Sequence, residues 1–340
     1  MDMTRRYARW HDLSMDRPRW LRPKSGRRRS FRTPSATAPA TPIPSDPDAP
    51  GDPATVRRVE FLDPTIGGLL ATDGYARLGP FLDAGEVQRA NDVFAEAQRR
   101  LGTPLPDHWY PTILLPDDAV RDFITAELRS LVEPRLLRLV DDAALEMVRL
   151  DYSVKPPSPN TGLGPHQDFA LVDESSAQSL YLWIPLCDMN ESNGTLHVLP
   201  GSHRFSNRIR SRHVPSVFDD VLPDIREAST RLDVKAGELI VMVSGVIHWS
   251  PPNRSDSLRL AAHGIVTPPG VPLVFYFRDD DTPDDLVECF ELDIDQYVRA
   301  IHHGRPSDVP LDHMEPLPPS NMDRARFERG MATFGPRNAS

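Results

Sequence analysis

Apolar residues recur at helical spacing through Val87, Ala90, Phe94, Ala97 and Leu101. Asp83 and Glu86 stand ahead of them as a capping box, and Gly102 follows as a stop. A second helix is predicted over 117–131, with Val120, Ile124, Leu128 and Leu131 on its buried face. After Asp142 the period changes from helical to alternating. Over 147–155 the alternation puts Val148, Leu150, Tyr152 and Val154 on one face of a strand and Arg149, Asp151, Ser153 and Lys155 on the other. Such a polar face either meets water or lines a wet cavity. Further short strands are predicted at 74–82, 179–186, 195–199, 237–247, 258–267 and 271–277, and a helix around 292–303. Asn193-Gly194 predicts a hairpin between the strands at 179–186 and 195–199. Many short strands divided by Gly, Pro and Asn turns, with helices ahead of them, predict a mainly β fold with flanking helices, a sandwich or jelly roll.

The two ends have a different texture. Residues 1–32 are Arg-rich, and 34–53 carry seven prolines among Ala, Thr, Ser and Asp, so residues 1–55 are expected to be a disordered basic, Pro-rich tail. The expected organisation is this tail, an ordered domain over 56–282 (helices about 83–140, jelly roll about 145–278), and a C-terminal extension over 283–340, part helical with a Pro-rich end. Residues 1–50 hold eleven Lys and Arg against five Asp, so the formal −10 of the whole chain leaves −16 for 51–340. An acidic body disfavours general nucleic-acid binding, which rests on phosphate neutralisation. The absence of any 18-residue apolar run argues against a membrane span. Two distant cysteines, Cys187 and Cys289, fit a reducing, cytoplasmic setting rather than a disulfide framework.

Candidate chemistry centres on residues 164–174, GPHQDFALVDE, where His166 and Asp168 stand two apart. On a strand, positions i and i+2 share a face, so an imidazole and a carboxylate could grip one cation. With 11 His in the chain, a bare His-x-Asp is expected about once by accident. His248, at the end of the apolar run LIVMVSGVI, is the candidate third ligand. Two His and one carboxylate with open positions form the facial triad of non-haem Fe(II) oxygenases.

The blocks at 164–174, LWIPL (182–186), NGTLHVLPGSH (193–203) and His248-Trp-Ser followed by Arg259 resemble, in order and spacing, the phytanoyl-CoA dioxygenase family of Fe(II)/2-oxoglutarate oxygenases. The resemblance runs from about Gly74 to Pro268. It implies a double-stranded β-helix, a cupin-like jelly-roll barrel with N-terminal helices packed on one sheet. It implies His166, Asp168 and His248 as iron ligands, Arg259 and Ser250 at the distal carboxylate of 2-oxoglutarate, and Lys155 reaching the co-substrate from a neighbouring strand. Fe(II), 2-oxoglutarate and O2 are then the cofactors, and a small molecule is the partner, hydroxylated with release of succinate and CO2. Halogenases on this scaffold replace the carboxylate ligand with a small residue, so Asp168 favours oxygenation. Arg149, Asp151, Phe169, Asp173 and Trp183 are the candidate substrate residues, while no pattern selects a substrate or an oligomeric state. Two other readings stand beside it: a non-catalytic metal-binding jelly-roll module, and a cupin-like metal oxygenase that does not use 2-oxoglutarate.

Overall fold

The computed structural model describes residues 56–140, 145–317 and 322–336; the expected tail over 1–55 lies outside the described residues. Three helices come early: α1 (Pro64–Thr72), α2 (Ala84–Leu101) and α3 (Asp118–Leu136). The expected capping box opens α2, with Glu86 N donating to Asp83 Oδ1 and Asp83 N donating to Glu86 Oε2, both at 2.9 Å. Gly102, at φ 62°, closes it in the left-handed conformation that glycine adopts without steric cost. Asp117 caps α3, which runs to Leu136 rather than Leu131 because Val132 and Leu136 continue its buried stripe.

The strands form three antiparallel sheets. The largest contains β1 (Tyr75–Pro80), β2 (Tyr110–Pro111), β3 (Glu146–Lys155), β5 (Leu180–Pro185), β8 (Glu238–Val243) and β10 (Arg259–Thr267), in the order β1-β8-β5-β10-β3-β2. A second contains β4 (Leu163–His166), β6 (Leu196–Val198), β7 (Thr230–Leu232) and β9 (His248–Ser250), in the order β4-β9-β6-β7. One face of the large sheet, with Leu150, Tyr152, Val154, Leu182 and Leu239, packs under the helices against Ala90, Phe94, Ile124 and Leu128. On its other face Tyr181, Trp183, Ile240, Met242 and Ala261 share a core with Leu196, Val198 and Leu232 of the smaller sheet. This is the expected jelly roll, two facing sheets with the N-terminal helices on one of them. Among the described residues, no helix is long and apolar enough to cross a membrane.

The polar face of β3 turns into the protein: Arg149, Asp151 and Lys155 are all buried. That face therefore turns inward rather than toward bulk water. One residue departs from the alternation. Between Ile265 and Val266 of β10 the register slips, leaving Val148 without a partner opposite. This bulge reverses the side-chain parity, so Met147 joins the core under the helices and Val148 packs in the core between the sheets.

The predicted Asn193-Gly194 hairpin does not form. β5 pairs with β8 and β10, whereas β6 pairs with β7 and β9 in the other sheet. Asn193 instead ends a short 3-10 turn and Gly194, at φ 80°, caps it. A left-handed glycine after Asn193 suits a sheet-to-sheet crossing as well as a hairpin, and the long-range pairing of β5 decided between them.

Beyond residue 282 the chain continues the ordered structure. Strands β11 (Leu273–Phe277), β12 (Leu286–Leu292) and β13 (His313–Pro316) form the third sheet. Two further helices, α4 (Leu222–Ala228) and α5 (Ile294–His303), precede the last, α6 (Arg324–Phe334). Tyr297, Ala300 and Ile301 of α5 enter the core between the sheets, where Tyr297 meets Phe275 edge-on at 5.6 Å.

Candidate metal and co-substrate site

His166 ends β4 and His248 begins β9, and the two are cross-strand partners, so their rings stand 4.3 Å apart. Asp168 lies just past the end of β4. The expectation of one strand face carrying both His166 and Asp168 is corrected here: Asp168 is held from outside the ladder. Arg210 donates from Nε to Asp168 O at 2.8 Å, and its guanidinium pairs with Glu174, Nη1 to Oε2 at 2.7 Å and Nη2 to Oε1 at 2.5 Å. Gln167, between the two ligand candidates, donates to Gly245 O at 2.7 Å in the turn leading to His248. One side chain thus ties the two halves of the site together.

His166 Nε2 is 3.8 Å from Asp168 Oδ1, and His248 Nε2 is 3.8 Å from Asp168 Oδ2. Ligand atoms of the three residues lie within 4.8 Å of one another. His166 Nδ1 is 2.8 Å from Gly164 O and His248 Nδ1 is 3.1 Å from Val246 O. A backbone carbonyl at Nδ1 fixes the proton there and leaves Nε2 as the lone-pair donor. Burial pushes both imidazoles down to about 4, so they are neutral at neutral pH, as metal ligation requires. Burial also raises the Asp168 carboxyl, although His166 opposes that shift. Two imidazoles and a carboxylate converging on one point fit a divalent transition metal such as Fe(II).

Beside this triad lie two buried cations. Lys155 of β3 and Arg259 of β10 are cross-strand partners and are 0% and 2% exposed. Lys155 Nζ donates to Ser250 Oγ at 2.7 Å and to Pro251 O at 2.6 Å. Arg259 Nη1 donates to Ser153 Oγ at 3.3 Å, its Nε has no partner, and its Cζ sits 5.1 Å from the Trp183 ring centroid. No carboxylate among the described residues pairs with either. Burial lowers the Lys155 ammonium well below its usual range, with Arg259 adding repulsion, and lowers Arg259 to about 10. Two adjacent buried cations are costly unless an anion completes the site. Gly194 leaves room for this lysine: a Cβ there would come within 3.3 Å of Lys155 Nζ and 2.5 Å of Pro251 O.

The proposed substrate positions divide. Asp151 accepts from Ile113 N at 3.1 Å and holds His263 Nδ1 at 2.9 Å, while His263 stacks on Tyr181 with centroids 5.0 Å apart. His263 feels Asp168 electrostatically, so this pair borders the metal site. Arg149 is buried with its Nε unpartnered. Phe169 follows Asp168 and is half-buried. Asp173 turns away to accept from Ser175 N at 2.9 Å and Ser175 Oγ at 2.7 Å, closing its own turn. His263 escaped the sequence reading although it lies four positions beyond Arg259, on the same strand face. Arg210, in a loop, gave no such signal.

A family model described as phytanoyl-CoA dioxygenase matches residues 70–261. Phytanoyl-CoA dioxygenase 1 of Oryza sativa subsp. japonica is 33% identical over 122 residues, covering 34% of this chain and 43% of that protein. Phytanoyl-CoA dioxygenase domain-containing protein 1 of Mus musculus is 33% identical over 158 residues, covering 40% and 53%. The chain thus spans about half or less of the length of these curated relatives. Among solved structures, the non-heme alpha ketoglutarate dependent carbocyclase SnoK from nogalamycin biosynthesis is 22% identical with a TM-score of 0.46, covering 63% of this chain and 86% of that one. HygX from Streptomyces hygroscopicus, with nickel and 2-oxoglutarate bound, is 16% identical with a TM-score of 0.46, covering 62% and 89%.

Proposed function

The chain belongs to the phytanoyl-CoA dioxygenase family of Fe(II)- and 2-oxoglutarate-dependent oxygenases, and on that premise we propose that it hydroxylates an unactivated C–H bond of a small molecule. The observation that carries this reading is the buried Lys155–Arg259 pair, lacking a carboxylate among the described residues, beside a triad fit for a metal. A dicarboxylate that meets the metal at one end and the cations at the other answers both features. In this reading His166, Asp168 and His248 hold iron. When bound, iron supplies the redox chemistry by which O2, 2-oxoglutarate and R–H become R–OH, succinate and CO2.

The chain's own residues have separate tasks. Arg259 offers the distal carboxylate a guanidinium fork, and Lys155 contributes a point charge beside it. Ser250 accepts from Lys155 Nζ and would complete that end of the site. Ser153 orients Arg259 while accepting from Trp109 Nε1 at 2.9 Å. Trp183 and the apolar residues of the inter-sheet core exclude water around the reacting groups, strengthening every electrostatic contact among them. Asp151 and His263 face the substrate side and would position a polar group near the target C–H bond.

The test is anaerobic addition of Fe(II) and 2-oxoglutarate, which should produce the weak visible charge-transfer band of the chelate. Oxygen-dependent succinate release across a panel of small metabolites should then identify the substrate. Absence of the band would remove both the oxygenase and its co-substrate from consideration.

A separate prediction concerns the support beneath Asp168. Arg210→Met leaves Glu174 as a largely buried carboxylate without its cation, and breaking a fully buried pair costs about 3–5 kcal/mol, an upper figure here. Urea unfolding should show that loss, and Arg210→Met/Glu174→Met should recover most of it. A single variant as stable as the parent would mean that Glu174 is satisfied by Ser244, whose Oγ donates to it at 2.7 Å.

A further inference from the structure

Another group of ligand-type side chains lies on the third sheet, apart from the triad. β12 and β13 pair with Cys289 opposite His313, so a thiol and an imidazole are cross-strand neighbours. Asp312 donates its backbone N–H to Cys289 O at 3.1 Å, which brings its carboxylate alongside them. Ligand atoms of Cys289, Asp312 and His313 lie within 4.8 Å of one another. His313 is flanked by carboxylates at both nitrogens, Nδ1 at 2.7 Å from Asp312 Oδ2 and Nε2 at 3.0 Å from Glu315 Oε1. Cys289 is 3% exposed, and its thiol is free, with no hydrogen-bond partner among the described residues.

We propose that Cys289, Asp312 and His313 bind one divalent cation of the zinc class, with Glu315 orienting the imidazole. The donor types select the ion: sulfur, nitrogen and oxygen together suit zinc, whereas calcium and magnesium take oxygen. Glu315 at Nε2 supplies the carboxylate to which ligating histidines donate their far nitrogen, and the cation would take the place of the proton that Nδ1 shares with Asp312. Binding releases the thiol proton and the His313 Nδ1 proton and leaves a metal thiolate with a neutral imidazole ligand, so charge and atoms balance. Burial, together with Glu315 and Asp312, pushes the free thiol up to about 12. The carboxylates that oppose a bare thiolate would favour one neutralised by the cation. The sulfur shares its apolar surroundings with Ala170 and Ile209, neighbours in sequence of Asp168 and Arg210. The site therefore stands behind the wall that carries the triad.

Cobalt(II), added anaerobically to the full chain, distinguishes this site because only a thiolate ligand gives an intense sulfur-to-cobalt band in the near ultraviolet. The band should correspond to one thiolate-bound cobalt per chain, saturating near one added equivalent in His166→Ala and at up to two in the parent, where the triad also takes cobalt. It should disappear in Cys289→Ser and need at least about 10-fold more cobalt in His313→Ala. Zinc should abolish it and magnesium should not. No band in the parent, or a band that survives Cys289→Ser, overturns the proposal. His313 and Asp312 are exposed, so His313→Ala and Asp312→Asn keep the test decisive should Cys289→Ser fail to fold. Neither O2 nor 2-oxoglutarate enters the measurement, and its outcome is independent of the oxygenase reading.

Discussion

Arg259→Ala is expected to raise the 2-oxoglutarate concentration needed for half-saturation by about 10²–10⁴-fold, read by anaerobic titration of the charge-transfer band. The variant removes two charge-assisted hydrogen bonds from a water-excluded site, each contributing about 1.5–3 kcal/mol, and 1.4 kcal/mol corresponds to a factor of ten. Arg259→Lys should rescue little, because the site already holds one ammonium in Lys155 and lacks a second fork. Stability of the free protein should fall much less than co-substrate affinity. Arg259 and Lys155 repel one another in the absence of an anion, so removing one cation relieves that repulsion. A cupin-like oxygenase without an oxo-acid predicts the opposite pattern, activity intact and 2-oxoglutarate irrelevant. A change below about 5-fold in half-saturation, against the roughly 10²–10⁴-fold predicted from two charged hydrogen bonds, would favour that alternative.

The features visible in the sequence are those governed by short-range rules. The capping box at Asp83 and Glu86 and the alternation of β3 depend on residues a few positions apart, and both form as expected. Periodicity left the polar face of β3 undecided between solvent and cavity, since alternation gives the face and not what lies above it. Burial of Lys155 depends on Ser250 and Pro251 at the end of β9, and that of Asp151 on Ile113 and His263, all partners distant in sequence. The same limit explains Asn193-Gly194, whose local geometry fits a hairpin while β5 finds its partners in β8 and β10. Val148 was misplaced because a bulge inserts one residue and reverses parity without any composition signal. At the site, His166, Asp168, His248 and Arg259 were legible through ordered blocks. Arg210 and Gln167, which hold the triad's backbone in place, were not, because their partners are carbonyls and carboxylates distant in sequence. His263 could have been found by counting along β10 from Arg259.

Asp168→Asn should separate function from stability. Metal affinity is expected to fall by at least about 100-fold, beyond the 10–100-fold typical of losing an outer partner, and succinate release should be lost with it. The metal-free variant should nevertheless be as stable as the parent at neutral pH, or more so. The Asp168 carboxyl is raised by burial, so the folded state binds its proton more tightly than the unfolded chain does. Its contribution to stability is therefore favourable only at low pH, and it is lost as pH rises through the raised value. At neutral pH the parent carries that cost in full, and the amide removes it. The cost is tolerated because iron between the two imidazoles would convert an unfavourable buried charge into a ligand. Chemical denaturation at pH 7 and at pH 4 should show the variant's advantage at the higher pH shrinking at the lower. A variant markedly less stable than the parent at pH 7 would mean that Asp168 serves the fold before it serves a metal.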